Sequence, residues 1–121
     1  MFRLLIFTLY MAMGFSQDGG VGEKSSPLNI PASFAGTYGE LRSGRFHAGL
    51  DFRVGGVVGE PIYSIDDGYI SRVTVSSTGY GNGLYITHPD GTTSIYGHMH
   101  NFSPEIARLV KERQYETESF N

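Results

Sequence analysis

Glycine spacing is the feature that most constrains the fold of this chain. Seventeen of its 121 residues are Gly, and they recur at short intervals between runs of β-branched and aromatic residues. Glycine inside a helix costs about 1 kcal/mol relative to Ala, whereas tight turns favour it. Short alternating runs separated by such turns are typical of all-β proteins. The sequence therefore predicts an all-β, mostly antiparallel fold.

Four runs of residues are predicted to be strands. They cover residues 61–65, 69–75, 84–88 and 92–99, with Gly-containing turns between them. In the last run, alternation directs Ile95 and Met99 to one face and Tyr96 and His98 to the other. Tyr96 then either lines a groove with His98 or packs in the core, and the pattern leaves both positions open.

One helix is predicted near the C-terminus. Ser103 is a favoured N-cap residue, and Pro104 fits the first helical position. The helix is expected to extend to about Tyr115. Its apolar stripe is formed by Ile106, Leu109 and Val110.

Two metal-ligand side chains, His47 and Asp51, stand four residues apart. Zinc binds His nitrogen and Asp oxygen at about 2.0–2.2 Å, and catalytic zinc sites use three protein ligands and a water. A straight strand would separate the two residues by about 13 Å, and the nearby glycines argue against a helix. We expect a curled strand in which Gly49 permits the bend. The alternative is a surface His beside a turn-capping Asp.

Three further histidines follow at His88, His98 and His100. Alternation along a strand would place His98 and His100 on one face, about 6.6 Å apart. On spacing alone, either of them could complete a zinc site with the earlier His/Asp pair. His88 precedes a Pro-Asp-Gly turn, which favours a position at a strand end near solvent.

The N-terminus predicts export. Arg3 is followed by an apolar run of signal-peptide length, too short to span a bilayer, and Gly14 and Ser16 are the small residues before a cleavage site. We therefore expect a signal peptide over residues 1–16 and a protein in the periplasm or outside the cell. Residues 17–30 are rich in Gly, Ser, Glu and Lys and are predicted to be a linker.

Charge and cysteine content exclude several classes of function. The formal net charge is −3, whereas a nucleic-acid-binding protein is expected to present a basic face. The chain has no Cys, so disulfides and thiolate zinc sites are excluded. Any zinc site must use His and carboxylates, which is closer to catalytic than to structural zinc.

Several segments, in their order along the chain, resemble the lysostaphin-type zinc endopeptidases, which include LytM and related murein endopeptidases. The resemblance extends from about Phe34 to Met99. It rests on the residues Gly39-Glu40-Leu41-Arg42, His47-Ala48-Gly49-Leu50-Asp51, Gly59-Glu60-Pro61-Ile62-Tyr63-Ser64, Asp67-Gly68-Tyr69-Ile70, Gly79-Tyr80-Gly81-Asn82-Gly83 and Ser94-Ile95-Tyr96-Gly97-His98-Met99.

The resemblance implies roles for individual residues. His47 and Asp51 match the first two zinc ligands, and His98 matches a catalytic His that stabilises the reacting carbonyl or water. Arg42 matches an Arg that packs near the mouth of the site. The family's third ligand is the second His of a later His-x-His pair, in a Pro-His-x-His-Phe context that this sequence lacks. His100 has different neighbours, and we expect it to be a polar residue at a strand end.

Residues 31–121 are therefore expected to be a lysostaphin-type peptidase domain that is incomplete at its C-terminus. The implied function is an exported zinc metalloendopeptidase that cleaves peptide bonds in peptidoglycan. This fragment, without the third ligand, is expected to bind zinc weakly and to be inactive alone. The alternative is a non-catalytic module of the same fold that binds the wall or activates other hydrolases. Peptidoglycan peptides are the expected partners, with no nucleic acid and no membrane span after leader removal.

Overall fold

A six-stranded antiparallel sheet forms most of the structure, a computed structural model that describes the backbone of residues 3–8 and all of residues 23–121. The strand order is β2-β5-β1-β8-β7-β6, and β3 and β4 form a separate hairpin. The predicted all-β, mostly antiparallel fold is confirmed. The elements are β1 (Arg3–Thr8), β2 (Phe34–Gly36), β3 (Leu41–Arg42), β4 (Arg45–Phe46), β5 (Leu50–Arg53), β6 (Tyr69–Thr74), β7 (Gly83–Thr87), β8 (Thr93–Gly97) and α1 (Pro104–Thr117).

Strands β6, β7 and β8 form an antiparallel meander, as the Gly-containing turns predict. The observed strands agree with the predicted ones to within two residues, but the predicted strand over residues 61–65 is absent. Those residues hydrogen-bond to the N-terminal side of the domain instead. Ser25 N donates to Ile65 O at 2.7 Å, and Tyr63 N donates to Pro27 O at 2.9 Å. Two isolated hydrogen bonds do not make a strand, so that prediction is wrong.

The core lies on one face of the sheet. Phe52 of β5, Leu84 of β7 and Tyr96 of β8 are buried there together with Leu28. Successive residues of a strand point to opposite faces, so Asp51 points to the face opposite Phe52. The site described below is therefore built on the side of the sheet away from this core.

The described part of the predicted linker packs against the domain. Leu28 is 3% exposed and belongs to the core. Lys24 Nζ lies 2.7 Å from Asp66 Oδ2 and 2.8 Å from Asp90 Oδ2. Local composition predicted a linker because Gly, Ser and charged residues dominate the segment, but one apolar residue and one Lys attach it to the domain.

The helix forms as predicted and is two residues longer than expected. Ser103 Oγ accepts a hydrogen bond from Ile106 N, and Pro104 occupies the first turn. Glu118 ends the helix with a φ of 50°. None of the helix residues is buried, so α1 covers the domain only loosely.

Most of the predicted signal peptide lies outside the described residues. Its residues 3–8 form β1, which pairs with β5 on one side and β8 on the other. Removal of residues 1–16 would therefore take a central strand out of the sheet. Within residues 3–8 and 23–121, no helix combines the length and apolar character needed to cross a bilayer.

Candidate metal centre

His47 and Asp51 converge as the sequence predicts. His47 Nε2 lies 3.2 Å from Asp51 Oδ1, and both side chains are buried, at 8% and 2% exposure. The two residues do not belong to one curled strand, because His47 precedes β5 and Asp51 lies within it. Gly49 stands at the bend between them and has no positive φ. The break between β4 and β5, rather than a left-handed glycine, therefore brings the side chains together.

Hydrogen bonding determines which nitrogen of His47 is available to a ligand. Its Nδ1 lies 2.9 Å from the carbonyl oxygen of Thr37. A carbonyl can only accept, so Nδ1 carries the proton and, in the neutral ring, Nε2 carries a lone pair. Among the described residues, buried Nε2 has no hydrogen-bond partner.

This geometry fits a zinc ion. Two ligand atoms that each lie about 2.0–2.1 Å from a tetrahedral zinc are separated by about 3.3 Å. The 3.2 Å between Nε2 and Oδ1 agrees with that separation. A lone pair held this close to a carboxylate oxygen is also unfavourable unless a cation or proton lies near both. The described residues nevertheless contain no group of three or more His, Asp or Glu side chains placed to hold one ion.

Arg42 neutralises the carboxylate of Asp51. Arg42 Nη2 donates to Asp51 Oδ2 at 2.7 Å and to Glu40 Oε2 at 3.1 Å. These hydrogen bonds, with that to Asp51 the stronger influence, raise the pKa of Arg42 above its ordinary value. The resemblance had placed Arg42 near the mouth of the site, and the structure places it in direct contact with a candidate metal ligand.

His98 lies just beyond the end of β8. The strand ends at Gly97, and His98 has a φ of 57°, which is rare for a residue other than Gly. Strand alternation therefore does not extend to His98, and the face assigned to it on that basis was wrongly derived. Its backbone N–H donates to Tyr80 O at 2.8 Å, which holds the chain in this bend.

Sheet register relates His98 to the His47–Asp51 pair. Leu5 of β1 is opposite both Asp51 and Gly97, so these two residues occupy one row across three strands. With strands about 4.8 Å apart, the backbone of His98 begins roughly 10 Å from that of Asp51. The catalytic role of His98 stays a prediction, as do the ligand roles of His47 and Asp51.

An open cavity of about 400 Å³ lies beside His98. His98 and His100 both line it, together with Val54 at the end of β5 and the segment from Val57 to Ile62. Both histidines are exposed. The cavity therefore brings the end of β8 next to the end of the strand that carries Asp51.

Tyr96 is a core residue. It is 2% exposed, and its hydroxyl accepts a hydrogen bond from Ile65 N at 2.9 Å. Of the two positions that the sequence left open for Tyr96, the structure selects packing in the core.

His88 was wrongly predicted to lie near solvent. It is 3% exposed, with Nδ1 at 2.7 Å from Asp67 O and Nε2 at 2.8 Å from Ser94 Oγ. Ser94 Oγ in turn donates to Tyr96 Oη at 3.0 Å. The adjacent Pro-Asp-Gly turn suggested exposure, and no local signal in the sequence indicates these distant partners.

Comparison with protein families agrees with the resemblance seen in the sequence. The profile of Peptidase family M23 matches residues 45–115, which is more than half of the chain and includes His47, Asp51 and His98. Comparisons with curated proteins and with solved structures found no match. The ordered motifs, the antiparallel sheet and the profile match agree, and the chain belongs to Peptidase family M23.

Proposed function

We propose that this chain carries the His47–Asp51 half of the zinc centre of an exported endopeptidase that cleaves peptide bonds in peptidoglycan. The observation that carries the proposal is the buried Nε2 of His47, which has no hydrogen-bond partner among the described residues and lies 3.2 Å from Asp51 Oδ1. A protein built only for stability would pair such an atom, because a buried polar group without a partner costs about 1–3 kcal/mol.

Each residue of the pair has a defined part in this proposal. The Thr37 carbonyl oxygen accepts a hydrogen bond from Nδ1–H of His47 and so fixes the tautomer that leaves Nε2 able to bind metal. Asp51 supplies a negative oxygen beside it, and its burial excludes water from that side. Zinc, when bound, supplies a water with a pKa near 7 and polarises the scissile carbonyl.

His98 is proposed to assist the reaction from the neighbouring cavity. It is exposed and therefore accessible to a substrate that enters there. Its imidazole would exchange a proton with the reacting groups or stabilise the developing oxyanion. The left-handed backbone of His98 supports this role, because strained residues are concentrated at functional sites.

The proposal requires a third protein donor. Catalytic zinc sites use three protein ligands, and the described residues bring together two. We propose that the working enzyme takes its third donor from chain outside the described residues. His100 is the competing candidate, and it would need the segment after β8 to turn back toward His47.

Export is the second part of the proposal. It is supported by Arg3, the apolar run and the small residues before position 17. N-terminal sequencing of protein recovered from outside the cytoplasm should begin near Gln17. A mature chain that begins at Met1 would contradict export and would keep β1 in the sheet.

Metal titration tests the proposed centre. Zn²⁺ affinity is measured by chelator competition for the wild-type chain and for the variants His47→Ala, Asp51→Ala and His100→Ala, each checked for folding by circular dichroism. The first two should lose specific binding, and His100→Ala, which removes an exposed His, should retain it. Loss of binding in His100→Ala alone would instead identify His100 as a ligand.

Activity is tested separately, by digestion of purified peptidoglycan with the 121-residue chain and with any longer chain that its gene encodes. Release of new amino termini that depends on zinc and on His47 supports the peptidase. A longer chain that binds zinc tightly and binds peptidoglycan without cleaving it would favour the non-catalytic module.

A further inference from the structure

We propose that Arg42, held against Asp51 in the space above Gly36, positions Asp51 so that one carboxylate oxygen alone is directed at the metal. This inference rests on the proposed zinc centre and extends it to residues outside the matched family segment, which begins at Arg45. It makes Arg42 a positioning residue rather than a ligand.

The two oxygens of Asp51 have different neighbours. Oδ2 accepts a hydrogen bond from Arg42 Nη2 at 2.7 Å, whereas Oδ1 is the oxygen 3.2 Å from His47 Nε2. A hydrogen bond between two charged groups is short and about twice as strong as a neutral one. Arg42 therefore fixes the rotation of the Asp51 carboxylate and directs Oδ1 toward the proposed zinc position beside His47 Nε2.

Glu40 fixes Arg42 in turn. Its Oε2 accepts from the same Nη2 atom at 3.1 Å. Arg42 is the last residue of β3, and Glu40 directly precedes that strand. The β3–β4 hairpin closes through a two-residue turn in which Gly44 has a φ of 80°. Only Gly adopts that conformation readily, so the turn helps to present the guanidinium toward β5.

Gly36 leaves the space that the guanidinium fills. It lies on β2 directly opposite Asp51, at a register irregularity. A Cβ added there would overlap Arg42 Nη2 and would lie 2.7 Å from Asp51 Oδ2 and 2.9 Å from Glu40 Oε2. The φ of Gly36 is not positive, so its backbone does not require Gly. Space for the Arg42–Asp51 contact is what the missing side chain provides.

The test compares metal affinity with stability in four variants. Arg42→Gln, Arg42→Lys, Glu40→Gln and Gly36→Ala are titrated with Zn²⁺ and with Co²⁺, and their thermal midpoints are measured without metal. Arg113→Gln is the matched control, because Arg113 also pairs with a carboxylate, Glu116, on the distant and exposed helix.

Arg42→Gln and Gly36→Ala should each weaken metal binding by about 10–100-fold, the usual effect of losing an outer partner of a ligand. Arg42→Lys should restore part of the affinity, because Lys keeps the charge without the planar fork. Glu40→Gln should have the smallest effect of the four. The Co²⁺ absorption spectrum should change in Arg42→Gln, since the Asp51 carboxylate loses the hydrogen bond that Arg42 donates.

Three results separate this inference from the zinc proposal. If His47→Ala abolishes binding while Arg42→Gln and Gly36→Ala stay within twofold of wild type, positioning by Arg42 is disproved and the zinc centre stands. If the wild-type chain shows no binding that depends on His47, both proposals fail. Equal losses in Arg42→Gln and Arg113→Gln would also overturn the inference. Should Arg42→Gln unfold, Gly36→Ala decides by the same criterion.

Discussion

His47 and His88 are both buried histidines, but they differ in whether the second ring nitrogen is hydrogen-bonded. Each places Nδ1 against a backbone carbonyl, of Thr37 in one case and Asp67 in the other. The second nitrogen differs: Nε2 of His88 bonds to Ser94 Oγ at 2.8 Å, whereas Nε2 of His47 has no hydrogen bond within the described structure and approaches Asp51.

This difference separates a structural histidine from a candidate ligand. A buried polar group costs free energy unless it is paired, and the network of His88, Ser94 and Tyr96 provides that pairing. In the His47 site, Nε2 has no such hydrogen bond within the described residues, and the carboxylate of Asp51 lies beside it instead. Burial alone therefore says little about the function of a histidine, and the partner of its second nitrogen says more.

The largest expected effect comes from removing either member of the candidate metal pair. In a longer chain that supplies the third donor, His47→Ala or Asp51→Ala should abolish metal retention and with it any peptidoglycan cleavage, because the two remaining donors hold the ion only weakly. His88→Ala, if folded, should keep the wild-type metal affinity. Inductively coupled plasma analysis of dialysed protein measures retention, and equal metal loss in the His47 and His88 variants would remove the distinction between the two sites.

The exposed His98 extends the comparison to catalysis. In a form that cleaves peptidoglycan, His98→Ala should retain the metal and lose about 10²–10⁴-fold in rate, the usual contribution of a general acid or base. His100→Ala, in the same cavity, is the control and should change the rate little. The initial rate of amine release measures both. Loss of metal in His98→Ala would instead make His98 a ligand.

The His88 network should appear in stability rather than in metal binding. His88→Ala removes the hydrogen-bond partner of the Asp67 carbonyl and one of the two partners of the buried Ser94 hydroxyl, and each lost hydrogen bond costs about 0.5–1.5 kcal/mol. The free energy of unfolding in urea should therefore fall by at least about 1 kcal/mol. An unchanged urea midpoint would show that water replaces the imidazole at no cost.

The smallest effect is expected at Lys24, on the surface. Its hydrogen bonds hold the pKa values of Asp66 and Asp90 below their ordinary range and raise that of Lys24. A lowered carboxyl pKa stabilises the fold above the ordinary value of about 3.9, and that stabilisation is lost as pH falls through the lower folded value. Lys24→Gln should lower the thermal midpoint slightly at pH 7.

That difference should shrink in acid and in high salt. Differential scanning calorimetry at pH 7 and at low pH measures it, with Lys111→Gln on the exposed helix as the control. A difference that persists in strong acid would mean that Lys24 acts through packing rather than through its two carboxylates.

The local features of this fold were predictable from sequence because they depend on neighbouring residues. The meander follows from alternating strands and Gly turns, and α1 follows from the Ser103–Pro104 start. The motif around His47 and Asp51 indicated a metal pair, and the structure brings the two side chains together. Backbone preference and side-chain period act over a few residues, so they can be read directly from the chain.

Tertiary structure alone decided the features that join distant residues. His88 bonds to Asp67 and Ser94. Residues 61–65 bond to the segment around Leu28 instead of forming the expected strand, and His98 leaves the strand pattern where its backbone bonds to Tyr80. Arg42 reaches Asp51 only because β2 places Gly36 beside both. Each of these contacts depends on strand order and register, and no local pattern fixes which strands become neighbours.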